Sequence, residues 1–212
     1  MAVKILIIDD QEVAREGLAT LLKGPLISHA ITSPGGDVIA TIDDEQSDVE
    51  LLDVRMPQQD GLATLEKIRA AKPDLPVVMI SAHDNPTYIA RAVALGANDY
   101  LLKSDGQSRM TQALTDATEG NSLPEESNLR RIRQLMHRNA PTPNVRDQLN
   151  LTPREIQVLR HIGLGLSNKE IASSLGISVE TVKEHVQNIL RKVGANDRTD
   201  AAVRAVRMGL VD

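Results

Sequence analysis

The sequence predicts an α/β domain with a doubly wound parallel sheet of five strands, then a helical linker, then an all-α domain of four helices. Strand-like apolar runs alternate with helical patterns over residues 1–118. From residue 149 to residue 212 only helical periodicity is found. Between them, Pro, Asn, Gly and Ser clusters mark residues 119–148 as a linker, which contains one short basic amphipathic stretch at 129–138.

Composition excludes several classes of protein. The chain has 212 residues and no cysteine, which rules out disulfides, thiolate metal sites and cysteine nucleophiles. It has no Phe or Trp and two tyrosines, Tyr88 and Tyr100, so each tyrosine calls for an explanation. No apolar run is as long as a membrane span, and acids follow the first strand too early for a signal peptide. We therefore expect a soluble cytoplasmic protein that has no membrane partner.

The net charge of -5 is unevenly distributed along the chain. Residues 1–118 carry 10 Lys and Arg against 18 Asp and Glu, whereas residues 151–212 carry 9 against 7. The intervening residues 119–150 carry 5 against 4. An acidic first half and a mildly basic second half indicate separate electrostatic roles for the two domains.

The first half contains five candidate strands and four candidate helices. The strands fall near residues 3–8, 26–32, 49–52, 76–80 and 100–102, and the helices near 12–22, 61–71, 86–95 and 108–118. The S-P-G-G segment leaves the second strand and the helix after it poorly defined. Alternation of strands and helices implies right-handed crossovers and a parallel sheet that is covered on both faces.

Chemistry-bearing residues follow the first, third, fourth and fifth of these strands: Asp9 and Asp10, Asp53, Ser81, and Lys103. The carboxyl ends of parallel strands meet at one edge of the sheet, where open α/β sheets bind their ligands. Three carboxylates at close range repel one another unless a cation neutralises them, and an oxygen-only site suits Mg²⁺. Asp53 could then act as the nucleophile of a phosphoryl transfer, with Ser81 and Lys103 neutralising charge on the phosphoryl group.

Four motifs resemble the receiver domains of bacterial two-component response regulators. They are I-I-D-D, L-L-D-V-R-M-P-x-x-D-G, I-S-A and G-A-N-D-Y-L-L-K, in the family's order. The resemblance implies that Asp53 is the phosphoacceptor and receives its phosphoryl group from a sensor histidine kinase or a small phosphodonor. It implies that Asp10 binds Mg²⁺ directly, that Asp9 helps through water, and that Asp53 and the backbone carbonyl of Arg55 complete the metal site.

The same resemblance implies roles for three further residues of this domain. Ser81 would bond the phosphoryl group, Lys103 would pair with it, and Tyr100 would be the aromatic residue that changes rotamer on activation. Glu50 departs from the family's pattern, since an apolar residue is usual at its place in the third strand. A buried carboxylate is costly unless it pairs locally or reaches the end of the sheet.

Capping signals divide the second half into helices. Thr152 and Glu155 form one candidate capping box, Ser167 and Glu170 form a second, and Ser178 is an N-cap. The helices that begin at Ser167 and Ser178 have the spacing of a helix-turn-helix motif. An ordinary helical bundle with a solvated polar face is the alternative for such an isolated amphipathic pair.

The motifs L-T-P-R-E-I-Q-V-L, L-S-N-K-E-I-A and V-E-T-V-K-E-H-V-Q-N-I-L-R-K-V resemble the DNA-binding domain of LuxR-type regulators. With the receiver, they indicate the NarL/FixJ architecture. The resemblance implies that residues 179–193 are the recognition helix. It places Lys183, Glu184 and Gln187 near base edges, Lys169, Arg191, Lys192 and Arg198 near phosphates, and Ala202, Val203 and Val206 on a dimer surface.

The sequence therefore predicts a response regulator in which phosphorylation of Asp53 controls binding of a homodimer to promoter DNA. It predicts a transcriptional regulator whose only chemistry is its own Mg²⁺-dependent phosphorylation and dephosphorylation. The alternative is a phosphorylation-gated switch whose helical domain contacts a protein rather than DNA. An enzyme such as a flavoprotein or an aspartate-nucleophile phosphatase fits less well, because Asp9 and Asp10 would repel a flavin phosphate and are not arranged as D-x-D.

Overall fold

The computed structural model of the protein describes residues 3–24, 27–33, 37–57, 59–137 and 150–211. Residue 138, the end of the predicted linker helix, lies outside these ranges. Within them, no helix is both long and apolar enough to cross a membrane.

Five parallel strands form the sheet of the N-terminal domain, as predicted. They are paired in the order β2-β1-β3-β6-β7. Their bounds are β1 (Val3–Ile8), β2 (Ile27–Ser33), β3 (Val49–Asp53), β6 (Val77–Ser81) and β7 (Asp99–Leu102). Asp53 and Ser81 are the last residues of their strands, and Lys103 directly follows β7. A short antiparallel ribbon, β4 (Arg55–Met56) and β5 (Gln59–Asp60), was not predicted and lies beyond the end of β3.

Helices cover both faces of this sheet, which confirms the doubly wound fold. Strand β1 alternates its side chains between two apolar layers, as a strand in the middle of a sheet must. Ile5 and Ile7 pack with α1 (Glu12–Leu21) and α5 (Gln107–Glu119). Leu6 and Ile8 belong to the layer formed with α2 (Val38–Glu45), α3 (Gly61–Ala71) and α4 (Pro86–Ala94).

Helix α2 is the one helix of this domain that the sequence pattern left undefined. It has only eight residues and follows the N-cap Asp37, whose side chain accepts a long hydrogen bond from the Ala40 N–H at 3.5 Å. Val38 and Ile42 fill its buried face. Two apolar anchors on so short a segment give too little periodicity to identify a helix, and packing against α3 supplies the rest.

The linker helix and the C-terminal domain also match their predicted types. The helices are α6 (Asn128–His137), α7 (Pro153–Gly163), α8 (Asn168–Leu175), α9 (Val179–Val193) and α10 (Arg198–Arg207). Both predicted capping boxes are present, at Thr152 with Glu155 and at Ser167 with Glu170. Ser178 accepts from the Thr181 N–H at 3.0 Å, so α9 begins where the sequence predicted.

Helix α6 joins the two domains through one apolar cluster. Its buried residues Leu129, Ile132 and Met136 pack in the same cluster as Ile89 of α4 and Leu151 before α7. Asp99 anchors the start of the helix, because its Oδ1 accepts hydrogen bonds from Ser127 Oγ at 2.7 Å and from the Tyr100 N–H at 2.8 Å. The linker is thus held against β7, the strand that carries Tyr100.

Candidate functional sites

Three carboxylates meet at the carboxyl edge of the sheet. Asp9 and Asp10 follow β1, and Asp53 ends the neighbouring strand β3. One carboxylate oxygen from each of the three lies within 4.8 Å of the others. Asp9 and Asp53 are buried, and Asp10 is half-buried. The structure therefore brings together the three acids that the sequence predicted to lie close to one another.

Lys103 bridges two of the acids from the end of β7. Its Nζ lies 2.6 Å from Asp9 Oδ2 and 3.0 Å from Asp53 Oδ1. The second oxygen of Asp53 accepts from the Arg55 N–H at 3.0 Å, and Asp9 Oδ1 accepts from the Gln11 N–H at 2.9 Å. Asp53 is therefore held in one orientation by a cation on one oxygen and a backbone amide on the other.

Burial dominates the electrostatics of this pocket. Burial raises the pKa of Asp53, the bonds from Lys103 and the Arg55 amide counteract this, and the charge of Asp9 adds to the increase. Burial alone would lower the pKa of Lys103, but its hydrogen bonds to Asp9 and Asp53 hold that pKa above its ordinary value. Three carboxylates against one ammonium leave the pocket with excess negative charge.

That excess charge suits a hard divalent cation. Within the described residues, Asp10 Oδ1 is buried and has no hydrogen-bond partner, so this acceptor is unsatisfied. All three side chains offer oxygen, the donor type that Mg²⁺ prefers. The residues present thus fit Mg²⁺. Arg55 has an exposed side chain and directs its backbone N–H to Asp53, so only its main chain faces the pocket.

Ser81 and Tyr100 are joined through one backbone segment. Ser81 Oγ accepts from the His83 N–H at 3.1 Å, and the Tyr100 hydroxyl donates to the His83 carbonyl at 3.3 Å. Both residues are buried. Two residues further on, Asn85 caps α4 by accepting from the Thr87 N–H at 2.9 Å. The end of β6, the tyrosine and the start of α4 are therefore coupled by hydrogen bonds.

Gly61 is a site residue to which sequence reasoning gave no role. A Cβ built at this glycine would lie 1.9 Å from the carbonyl oxygen of Asp53, so no side chain fits without moving the strand end. The Gly61 N–H donates to the Val54 carbonyl at 3.1 Å, and the preceding Asp60 caps α3 by accepting from Leu62 N–H at 2.8 Å. The D-G pair in the motif was the available signal for this close approach.

The outward face of α9 carries the residues predicted to read bases. Lys183, Glu184 and Gln187 are exposed, as is Arg191 in the last turn. Lys183 pairs with Glu180 at 2.8 Å, and an Arg191 Nη2 donates to Asn188 Oδ1 at 3.0 Å. Both contacts are between exposed neighbours on one helix and can be exchanged at little cost.

Three other predicted phosphate contacts already have protein partners. Lys192 Nζ lies 2.8 Å from Oε2 of the buried Glu155. Arg198 donates to Asn168 Oδ1 at 2.9 Å and to the Leu166 carbonyl, which fixes the turn before α8. Lys169 pairs with Glu66 of α3. The structure thus gives Lys192 and Arg198 packing roles, and their contact with DNA stays a prediction.

The three residues predicted to form a dimer surface lie on α10. Val203 and Val206 are 44% and 51% exposed, and Ala202 is partly buried against the apolar cluster. Exposed valines one turn apart are compatible with a docking surface. The assignment of a dimer surface stays a prediction.

Comparison with known proteins identifies both domains. Residues 5–115 match the family model described as a response regulator receiver domain, and residues 149–205 match the model of bacterial regulatory proteins of the luxR family. The transcriptional regulatory protein LnrK of Bacillus subtilis is 38% identical over 98% of both chains. The response regulator protein VraR of Staphylococcus epidermidis is 32% identical over the full length of both.

A solved structure agrees with these matches. The crystal structure of the response regulator ChrA, from a heme-sensing two-component system, is 30% identical, covers 99% of both chains and superposes with a TM-score of 0.52. Together with the acidic pocket and the helix-turn-helix, these matches define the class. The chain belongs to the two-component response regulators that combine a receiver domain with a LuxR-type DNA-binding domain and regulate transcription.

Proposed function

We propose that Asp53 is the phosphoacceptor, that Mg²⁺ supports the transfer, and that the resulting phosphoryl group controls DNA binding by α9. The observation that carries this proposal is the position of Asp53, oriented by Lys103 and the Arg55 amide beside two further acids. A sensor histidine kinase or a small phosphodonor would supply the phosphoryl group in the cytoplasm.

In the proposed transfer, a carboxylate oxygen of Asp53 forms the new P–O bond as the P–N bond of the donor phosphohistidine breaks. The imidazole nitrogen leaves with the electron pair, and the product is an acyl phosphate on Asp53. Bound Mg²⁺, held by Asp10, Asp53 and the Arg55 carbonyl with Asp9 helping through water, would neutralise the charge of the phosphoryl oxygens. Lys103 already contacts Asp53, so its ammonium can follow the new negative charge with a small movement.

The proposed signal leaves the pocket through Ser81 and Tyr100. Ser81 would turn its hydroxyl from the His83 amide toward the phosphoryl group, and the segment that also holds the Tyr100 hydroxyl would move with it. Because Asn85 of the same segment caps α4, the displacement reaches the helix that contacts the DNA-binding domain. A two-state equilibrium between a closed and an open arrangement would then shift toward the open one.

In the proposed active state two copies associate through α10, with Ala202, Val203 and Val206 at the contact. Exposed valines support this choice, and a dimer would place two copies of α9 on successive half-sites of DNA. Sedimentation of the phosphorylated protein tests it: Val203→Glu should keep the protein monomeric, and a dimer of unchanged strength would exclude this face.

The experiment for the phosphoacceptor is labelling of the full chain with acetyl phosphate and Mg²⁺, followed by intact mass. The wild type should gain the mass of one phosphoryl group, and Asp53→Asn should gain none. Asp44→Asn, which removes an exposed acid on α2, is the matched control and should label like the wild type. Retained labelling of Asp53→Asn would exclude Asp53, and loss of labelling on omission of Mg²⁺ would support the metal site.

A further inference from the structure

Helix α8 is held by the receiver through contacts with two of its helices. Glu170 Oε1 lies 2.5 Å from Arg91 Nε of α4, and Ser173 Oγ donates to the Ala94 carbonyl at 3.0 Å. Lys169 pairs with Glu66 of α3. Thr87 of α4 reaches the turn before α8, where its Cγ2 would lie 3.0 Å from a Cβ built at Gly165. The receiver thus contacts the DNA-binding domain through α8, the first helix of the helix-turn-helix.

The second helix of the motif remains open in this same arrangement. Helix α9 packs on α7, α8 and α10, and its outward residues Lys183, Glu184, Gln187 and Arg191 are exposed to solvent. The side chains predicted to read bases are therefore accessible while the receiver is docked. Within the part of the chain that the structure describes, this arrangement therefore does not limit DNA binding by covering the recognition helix.

Lys169 contacts the docked receiver and is also predicted to contact a DNA phosphate. It lies in the first turn of α8, the helix that crosses the DNA backbone in helix-turn-helix complexes, and its side chain is 76% exposed. Such a cation at the start of the first helix is suited to a phosphate contact. In the docked arrangement its ammonium faces the Glu66 carboxylate instead.

We propose that Glu66 of the receiver competes with the DNA backbone for Lys169, so that the docked receiver weakens DNA binding by occupying one phosphate contact while the base-reading face stays open. This inference rests on the proposed function of the helix-turn-helix in binding DNA. It assigns Glu66 a regulatory role that lies outside the phosphorylation pocket.

The two ion pairs between α8 and the receiver differ in burial and therefore in strength. The side chain of Lys169 is largely exposed and that of Glu66 is half-buried, so their pair is open to solvent, weak and readily exchanged for a phosphate. Arg91 and Glu170 are more buried, and Glu170 also accepts from the Ser167 N–H at 2.7 Å as part of its capping box. The pair of Arg91 with Glu170 keeps α8 docked. The pair of Lys169 with Glu66 determines whether Lys169 binds a receiver carboxylate or a DNA phosphate.

The test compares the two ends of the exposed pair in unphosphorylated full-length protein. The probe is a DNA duplex selected from a random pool by the phosphorylated wild type, and the readout is Kd over a range of salt. Glu66→Gln should tighten binding about two- to threefold, because an exposed pair is worth little. Lys169→Gln should weaken binding and lower the salt slope by about one.

Two variants control for general charge effects. Asp44→Asn also removes an exposed receiver carboxylate, and Lys67→Gln removes an exposed cation next to Glu66 on α3. Both should bind like the wild type. After phosphorylation with acetyl phosphate and Mg²⁺, the advantage of Glu66→Gln should disappear, because the receiver is then no longer docked.

Three outcomes would overturn the inference. Tighter binding by Lys169→Gln would mean that Lys169 serves only the docked arrangement. An unchanged Kd for Glu66→Gln would mean that the pair does not compete with DNA. An equal gain in DNA affinity for Asp44→Asn would mean that the effect of Glu66→Gln comes only from the change in net charge. If the phosphorylated wild type selected no duplex at all, the proposed function itself would fail, which is distinguishable from these results.

Discussion

Glu50 is a carboxylate in the third strand of the sheet, at a place where the receiver family usually has an apolar residue. It is fully buried in β3, and its Oε1 accepts from Ser47 Oγ at 2.6 Å. Its Oε2 has no hydrogen-bond partner among the described residues. Burial raises its pKa from 4.5 to about 7, although Ser47 and the charge of Lys72 oppose the shift.

The raised pKa makes Glu50 a pH-dependent source of instability. Because the folded pKa lies above the unfolded one, the folded protein binds the extra proton between these values, and stability falls as the pH rises through about 7. Glu50→Gln should therefore raise the free energy of unfolding by about 1–3 kcal/mol near pH 8, where the wild-type carboxylate is ionised.

Urea unfolding at several pH values measures this effect. The gain of Glu50→Gln should shrink as the pH falls from 8 toward the unfolded pKa of 4.5. The exposed acid Glu16 offers the control Glu16→Gln, which should show no such pH dependence. A gain for Glu50→Gln that is equal at all pH values would contradict the assignment.

Gly61 gives a second prediction for a single residue. Gly61→Ala places a methyl group on the Asp53 carbonyl, so the strand end and the start of α3 must separate. Overpacking of this kind costs about 1–3 kcal/mol in unfolding free energy. Acetyl phosphate labelling should slow as well, because Asp53 shifts relative to Lys103; Gly17→Ala, at an open position on α1, should label at the wild-type rate.

The helices of the C-terminal domain depend on their charged ends as well as on their apolar faces. Glu155 is buried, closes the capping box of α7 by accepting from the Thr152 N–H at 2.7 Å, and accepts from Lys192 at 2.8 Å. Burial alone would raise the pKa of Glu155, but Lys192 and Thr152 hold it below its ordinary value. Lys192 therefore links the end of α9 to the start of α7.

The two lysines of α9 should behave differently when they are truncated. Lys192→Ala leaves the buried Glu155 without its cation and should lower the free energy of unfolding by about 1–2 kcal/mol. Lys183→Ala removes an exposed side chain and should leave stability within about 0.5 kcal/mol of the wild type. Thermal unfolding compares them. A loss for Lys192→Ala as small as the loss expected for Lys183→Ala would show that Lys192 has no structural role. Lys183 is the cleaner probe of DNA contact.

The docked arrangement of the whole molecule rests on an apolar linker helix and on charged pairs. Helix α6 shares a core with both domains, and Arg91 with Glu170 fixes α4 against α8. Burial alone would raise the pKa of Glu170, but Arg91 and the cap at Ser167 hold it below its ordinary value. A carboxylate with a lowered pKa stabilises the docked form above the undocked pKa, and this contribution is lost as the pH falls.

Removal of Arg91 should therefore favour separation of the domains. Arg91→Ala leaves the Glu170 carboxylate with its capping contacts alone, so the undocked population should rise and the radius of gyration in small-angle X-ray scattering should increase. Lys67→Ala, which removes an exposed cation of α3, should scatter like the wild type. An unchanged radius for Arg91→Ala would show that the pair of Arg91 with Glu170 is not needed to keep the domains docked.

Much of the site could be predicted because it is local to strand ends. Short apolar runs mark β1, β3, β6 and β7, and parallel strands bring their carboxyl ends to one edge of the sheet, where Asp53 and Lys103 are in contact. Capping boxes at Thr152 and Ser167 placed the starts of α7 and α8 for the same reason, since both partners lie within one turn.

The sequence by itself determined the class of each domain, the acidic pocket and the helix-turn-helix, since periodicity and short motifs encode them. Tertiary structure alone decided that α8 faces α3 and α4, that Lys192 pairs with Glu155, and that Gly61 contacts the Asp53 carbonyl. These contacts join residues far apart in the chain or depend on a close backbone approach. Side-chain pairing across two domains depends on how their surfaces dock, and no local pattern encodes that.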